Sequence, residues 1–298
     1  MAEFNLTGLG VALATPFKMD YSIDFEALER LIDHIVMGGA DYIVVMGTTA
    51  ETPTLAPDER IILTDFVRQK TDGRLPLVIG IGGNCTQRVI QDLKERNLLD
   101  YSAILSVTPY YNKPTQEGLY QHYKAISEAS PLPIILYNVP GRTGVNLSAK
   151  TTLALSEIDN IIAIKEASGK IDQIQDIIDH KPDGFHVISG NDADTCALMR
   201  IGAEGLISVL GNAFPGQIKR LVDMCASNNF DDGQILQERM KELIRLLFAE
   251  GNPAGVKFAC HELGLIENVL RLPLVPVSNH TANEIKSCIK DFVKLSWE

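Results

Sequence analysis

Eight short apolar runs, most of them followed by a segment of helical period, set the tightest limit on how this 298-residue chain can fold. The runs are Val11–Ala14, Tyr42–Met46, Leu77–Ile81, Ala103–Val107, Ile134–Tyr137, Ile161–Ile164, Phe185–Ile188 and Leu206–Val209. Apolar residues on consecutive positions suit parallel strands buried on both faces, not the alternation of a half-exposed sheet. The segments between them read as helices. After Asp24, an N-cap, Leu28, Leu31, Ile32, Ile35 and Val36 share one face, and Gly38-Gly39 closes the helix. Strand and helix alternate eight times at spacings of roughly 20–35 residues, the pattern of repeated βα units. A doubly wound sheet can carry such units, but eight of them within about 210–225 residues fit a (β/α)₈ TIM barrel better.

The character changes near residue 226, which divides the chain into a barrel over 1–225 and a helical C-terminal appendage over 226–298. Ile235, Leu236, Met240, Leu243, Ile244 and Leu247 outline one helix, broken by Gly251-Asn252-Pro253. Val256, Phe258, Ala259 and Leu263 suggest a second, stopped at Gly264. Thr281 and Glu284 read as a capping box opening a third, with Ile285, Cys288, Ile289, Phe292 and Val293 on one face.

Composition narrows the function classes. A formal net charge of −11 with no clustered run of Lys and Arg argues against nucleic acid. The five cysteines are scattered and lack CxxC spacing, so neither a disulfide framework nor a zinc site is expected. Reduced thiols, no basic-then-apolar leader in Met1 to Gly10 and no membrane-length apolar run together imply a soluble, cytoplasmic protein. Gly80-Ile81-Gly82-Gly83 begins like a dinucleotide fingerprint, but Cys85 occupies the third glycine position. The six histidines show no ligand spacing, so no metal is expected.

In a barrel the strand C-termini and the loops after them form the active face, and several carry unusual polar residues. Lys165 follows Ile161–Ile164. Partial desolvation there favours the neutral amine, the form that attacks a carbonyl to make a Schiff base. A strand-end lysine that snorkels to water has the same signature, and position alone favours that plainer reading. Glu166 should point the other way, as a structural ion-pair partner. Tyr137 ends its strand and opens a loop containing Arg142. A phenol there can shuttle protons, and a guanidinium fork matches a carboxylate. Each could equally be a core phenol and a solvated loop charge. Thr48 and Thr49, in Gly47-Thr48-Thr49-Ala50-Glu51, offer hydroxyls and amides for an anion, although hydroxyl-rich turns are common. Tyr110 and Tyr111 follow the fourth strand and read as an interface stack or a proton donor.

Taken together, these pieces resemble the pyruvate-dependent class I aldolase family that includes dihydrodipicolinate synthases and N-acetylneuraminate lyases. The likeness runs from Gly10-Val11-Ala12-Leu13-Ala14-Thr15-Pro16-Phe17 to Leu270-Arg271-Leu272-Pro273-Leu274. Its most specific stretches are Thr108 to Pro114, the YNVPGRTG loop over 137–144, and Ile164-Lys165-Glu166-Ala167-Ser168-Gly169. The resemblance reverses the plainer reading of Lys165, which it makes the Schiff-base lysine for pyruvate. It makes Tyr137, Thr48 and Tyr111 a proton relay, with Tyr111 reaching in from a neighbouring subunit of a tight dimer. Thr49 would bind the pyruvate carboxylate, and Arg142 the carboxylate of L-aspartate 4-semialdehyde. Gly190 and Ile207 would line the site with backbone groups. The implied assembly is a dimer of tight dimers, and the implied chemistry needs no cofactor.

Two departures stand out. The family's usual GTTGE reads GTTAE here, which strains the turn only if Ala50 must adopt positive φ. Members inhibited by L-lysine carry an asparagine and, four residues on, an acid. Here Asn84 is present, with Tyr110 as a further effector-site candidate, but Arg88 fills the acidic slot, so weak feedback is expected. The rival readings are a sugar-acid lyase of the same fold, against which Arg142 argues, and a keto-acid sensor without chemistry.

Overall fold

The computed structural model describes residues 6–294. Eight parallel strands close into a barrel in sequential order: β1 Gly8–Ala12, β2 Tyr42–Val45, β3 Leu77–Gly80, β4 Tyr101–Val107, β5 Ile134–Asn138, β6 Ile161–Glu166, β7 His186–Ser189 and β8 Gly205–Ser208. The helices between them are α1 Phe25–Met37, α2 Pro57–Thr71, α3 Thr86–Glu95, α4 Gln116–Ala129, α5 Pro140–Thr143, α6 Ala149–Ser156, α7 Ile171–His180, α8 Thr195–Arg200 and α9 Pro215–Ala226. α10 Phe230–Phe248, α11 Ala254–Glu262 and α12 Asn279–Lys294 follow. Among the described residues no helix is long and apolar enough to cross a membrane.

Consecutive apolarity has the cause expected of it. Within one strand Val44 belongs to the layer that fills the barrel, with Val78, Ala103, Leu105, Ile135, Ala163 and Ile207. Its neighbours Ile43 and Val45 face the helices. Both faces are therefore dry, and every position must be apolar. α1 starts where the sequence puts it, the Asp24 carboxylate accepting the Ala27 N–H at 3.0 Å.

Two expectations need correction. The first strand lies earlier than Val11–Ala14, because it is built on glycines that carry no apolar signal. A Cβ on Gly10 would sit 2.2 Å from the Tyr42 ring, so glycine lets a tyrosine fill the barrel floor. Lys165 and Glu166 are the last two residues of β6, at the strand end where the sequence puts them. The last helix begins at Asn279, and the Ser278 hydroxyl, not that of Thr281, accepts a first-turn N–H, that of Thr281 at 3.3 Å. Glu284 meets His280 at 3.5 Å instead of reaching back to close a box. Met1–Asn5, part of the N-terminal reading, and the Val293 side chain lie outside the described residues.

Candidate active site

A cavity of about 250 Å³ opens at the C-terminal rim of the barrel, and six of the residues singled out above line it: Thr48, Thr49, Tyr137, Arg142, Lys165 and Gly190. The barrel register assembles them. Tyr137 on β5 pairs directly with Lys165 on β6, so phenol and amine emerge side by side. The Lys165 Nζ lies 4.4 Å from the centre of the Tyr137 ring, and the two side chains are 5% and 7% exposed. The group that meets the amine is thus an aromatic face and not a carboxylate, and the snorkelling alternative is set aside by burial.

Gly190 follows β7, and its N–H donates to the Glu166 carbonyl at 2.7 Å. A Cβ there would lie 2.8 Å from that of Ala167 and 3.1 Å from Lys165 Cε. Glycine is what gives the lysine stem its channel. Thr48, Thr49 and Ala50 form a single 3₁₀ turn. The left-handed residue is the next one, Glu51 at φ 54°, so Ala50 bears no strain and its methyl is simply buried. Arg142, on the short helix α5, is exposed at the mouth.

Four candidates lie elsewhere. Ile207 is fully buried in the inner barrel layer and is not among the residues lining the cavity. Tyr111 is 89% exposed with φ 75°, and its N–H donates to the Thr143 carbonyl at 3.4 Å, which seats it beside the Arg142 loop with the phenol turned outward. The Asn84 amide donates to the Tyr110 carbonyl at 3.4 Å, so these two are neighbours outside the cavity. Arg88 pairs with Asp92 at 3.1 Å.

Glu166 corrects a further expectation. It points away from Lys165 as alternation requires, but neutral donors hold it: the Asn138 amide, the Ser168 hydroxyl and N–H, and Gln173 at 3.4 Å. Burial raises the pKa of its carboxyl, and these hydrogen bonds oppose that rise.

Sequence reasoning missed three further residues. Phe248 and Asn252 reach the cavity from the C-terminal segment, which is therefore part of the site as well as an appendage. The Asn252 amide donates to Thr49 Oγ1 at 3.0 Å, leaving the threonine proton free to donate into the cavity. In the sequence Asn252 is only part of a helix break, and nothing there links it to Thr49. Asp192 is fully buried and accepts hydrogen bonds from the Ser208 hydroxyl, the Val209 N–H at 2.9 Å and the Leu210 N–H at 3.4 Å, tying the ends of β7 and β8 together. Burial pushes this carboxyl above its usual range, and the hydrogen bonds and the Lys165 charge work against that push.

This fold and site define a (β/α)₈-barrel enzyme organised around a buried strand-end lysine. The family model described as dihydrodipicolinate synthetase matches residues 5–292, and the chain belongs to that family. It is 54% identical over 291 residues to the 4-hydroxy-tetrahydrodipicolinate synthase of Parabacteroides distasonis, covering 97% of this chain and 98% of the relative. The crystal structure of dihydrodipicolinate synthase from Thermotoga maritima superposes with a TM-score of 0.94 at 41% identity, over 97% of this chain and 99% of that one. A chloride-inhibited dihydrodipicolinate synthase from Acinetobacter baumannii, complexed with pyruvate, matches at 0.94 and 40% identity, over 98% and 100%.

Asp192→Ala leaves three donors unpaired in the interior. It should lower the unfolding free energy by about 3 kcal/mol or more, read as a lower urea midpoint, whereas Asp192→Asn, which keeps an acceptor oxygen, should lose less. Equal midpoints for Asp192→Ala and the parent would contradict this.

Proposed function

We propose that the protein is a 4-hydroxy-tetrahydrodipicolinate synthase, a lyase that condenses pyruvate with L-aspartate 4-semialdehyde. The observation carrying this reading is the buried Lys165 amine beside Tyr137, in a cavity that also gathers Thr48, Thr49 and Arg142. The neutral amine attacks the keto carbon of pyruvate, and loss of water leaves an imine. A proton leaves the methyl group to give an enamine, whose carbon attacks the aldehyde. The amine of the adduct then displaces Lys165 by transimination and closes the ring.

The remaining residues divide the binding and the protons. Thr49 holds the pyruvate carboxylate through its N–H and hydroxyl, which suits a hydroxyl whose acceptor side is already taken by Asn252. Arg142 meets the second carboxylate at the mouth, where a guanidinium fork is matched to that group. Gly190, which lines the cavity, contributes backbone groups. Tyr137 and Thr48 relay protons with Tyr111, which comes from a second subunit. A phenol 89% exposed in the single chain supports that assignment, and the assembly read with it is a dimer of tight dimers. A cytoplasmic location fits the five free cysteines. Asn84 and Tyr110 are candidates for a weak effector site, because Arg88 stands in the slot where an acid would pair with the amine of L-lysine.

The purified enzyme should turn over pyruvate with L-aspartate 4-semialdehyde and leave N-acetylneuraminate intact. Cleavage of the sugar acid without the condensation would overturn the assignment. Initial rates should hold at millimolar L-lysine, and a steep fall would refute the effector reading.

A further inference from the structure

One ion pair among the described residues is completely closed to solvent and has no part in the chemistry above. Lys257 Nζ lies 2.6 Å from Glu51 Oε1, with both side chains at 0% exposure. Glu51 immediately follows the turn that carries Thr48 and Thr49, whereas Lys257 sits on α11, 206 residues away in sequence. Replacing a buried pair by apolar groups of similar volume is often neutral or stabilising, so stability alone is a weak account of why two charges sit here.

The contacts around the pair supply a better one. The second oxygen of Glu51 accepts the Arg271 N–H at 3.0 Å. The ammonium of Lys257 also donates to the Thr15 carbonyl at 2.9 Å, and the Thr15 hydroxyl donates to the Ala50 carbonyl at 2.8 Å. The turn is thus fastened at Ala50 and at Glu51, and both fastenings lead to one amine. Glu51 occupies the left-handed region, which a glutamate seldom adopts and which persists only where the surroundings over-determine it. A turn of three residues has little capacity to hold itself.

We infer that Lys257 and Glu51 are positioning residues for the keto acid: their ion pair fixes the 48–50 turn at the distance from Lys165 that a three-carbon substrate requires. This rests on the reading that Thr49 receives the pyruvate carboxylate. The pair acts on one substrate only, since Arg142 is carried by a different loop. Asn252 adds a third tether to the same turn from the same C-terminal segment.

The test compares Lys257→Met with the parent protein. Folding is monitored by circular dichroism, the pyruvate concentration for half-maximal borohydride trapping is determined, and KM is measured for each substrate. Misplacing a binding group by an ångström costs up to about 100-fold, so a folded Lys257→Met should need about tenfold more pyruvate or above, with the aldehyde KM within about twofold. A folded variant with unchanged pyruvate half-saturation, or with both substrates weakened alike, overturns the proposal. If Lys257→Met does not fold, the doubly neutral Glu51→Gln/Lys257→Met is read by the same criteria. Failure of both to fold makes the pair purely structural and also overturns it. Absence of trapping in the parent protein is a separate result, which removes the assignment of function itself.

Discussion

The site depends on the channel that holds the stem of Lys165. Four methylenes run between β5 and β7 at the barrel mouth. Tyr137, its register partner, presents a ring to the amine, and Gly190 yields the space a side chain would fill. The amine held this way is almost wholly shielded from bulk water and lines the cavity. Because the barrel fixes the strand ends, this geometry is a property of the closed sheet and not of any single loop.

Around that stem the protein spends polar groups where they cannot compete for the amine. Glu166 follows Lys165 in the chain, yet alternation turns it to the opposite face, where Asn138, Ser168 and Gln173 satisfy it. Asp192, closer to the lysine's side, has its oxygens occupied by Ser208 and two backbone N–H groups. Glu51 is taken by Lys257 and Arg271. Each buried carboxylate has donors of its own, which matters because a buried charge left unpaired is far costlier than one fully hydrogen-bonded. The C-terminal helices share in this arrangement, supplying Lys257 and Asn252 to one turn of the barrel face.

What the sequence made legible follows the range of the forces involved. Strands buried on both faces announce themselves as runs, and residues at their ends are placed by the run alone, which is how Lys165, Tyr137 and Thr48 come into view. The first strand was displaced because Gly8 and Gly10 pair by backbone and contribute no hydropathy. Glu166 reads as an ion-pair partner because neutral donors such as Asn138 and Gln173 look like any other polar residues in a sequence. Asn252 on Thr49 and Lys257 on Glu51 join positions more than 200 apart, 203 and 206 residues respectively, and no local pattern encodes such contacts. A lysine inside the apolar run Val256–Cys260 was the one available signal that something buried needed its charge. Tyr111 was singled out by its motif, and its outward phenol gives the single chain no use for it.

On the proposed chemistry, the amine at the end of β6 makes a covalent bond with a keto acid. The direct measurement is peptide mapping by mass spectrometry after incubation with pyruvate and borohydride. One reduced pyruvate adduct is expected, located on Lys165. Full recovery of the Lys165 peptide unmodified, or an adduct at a different lysine, would contradict it.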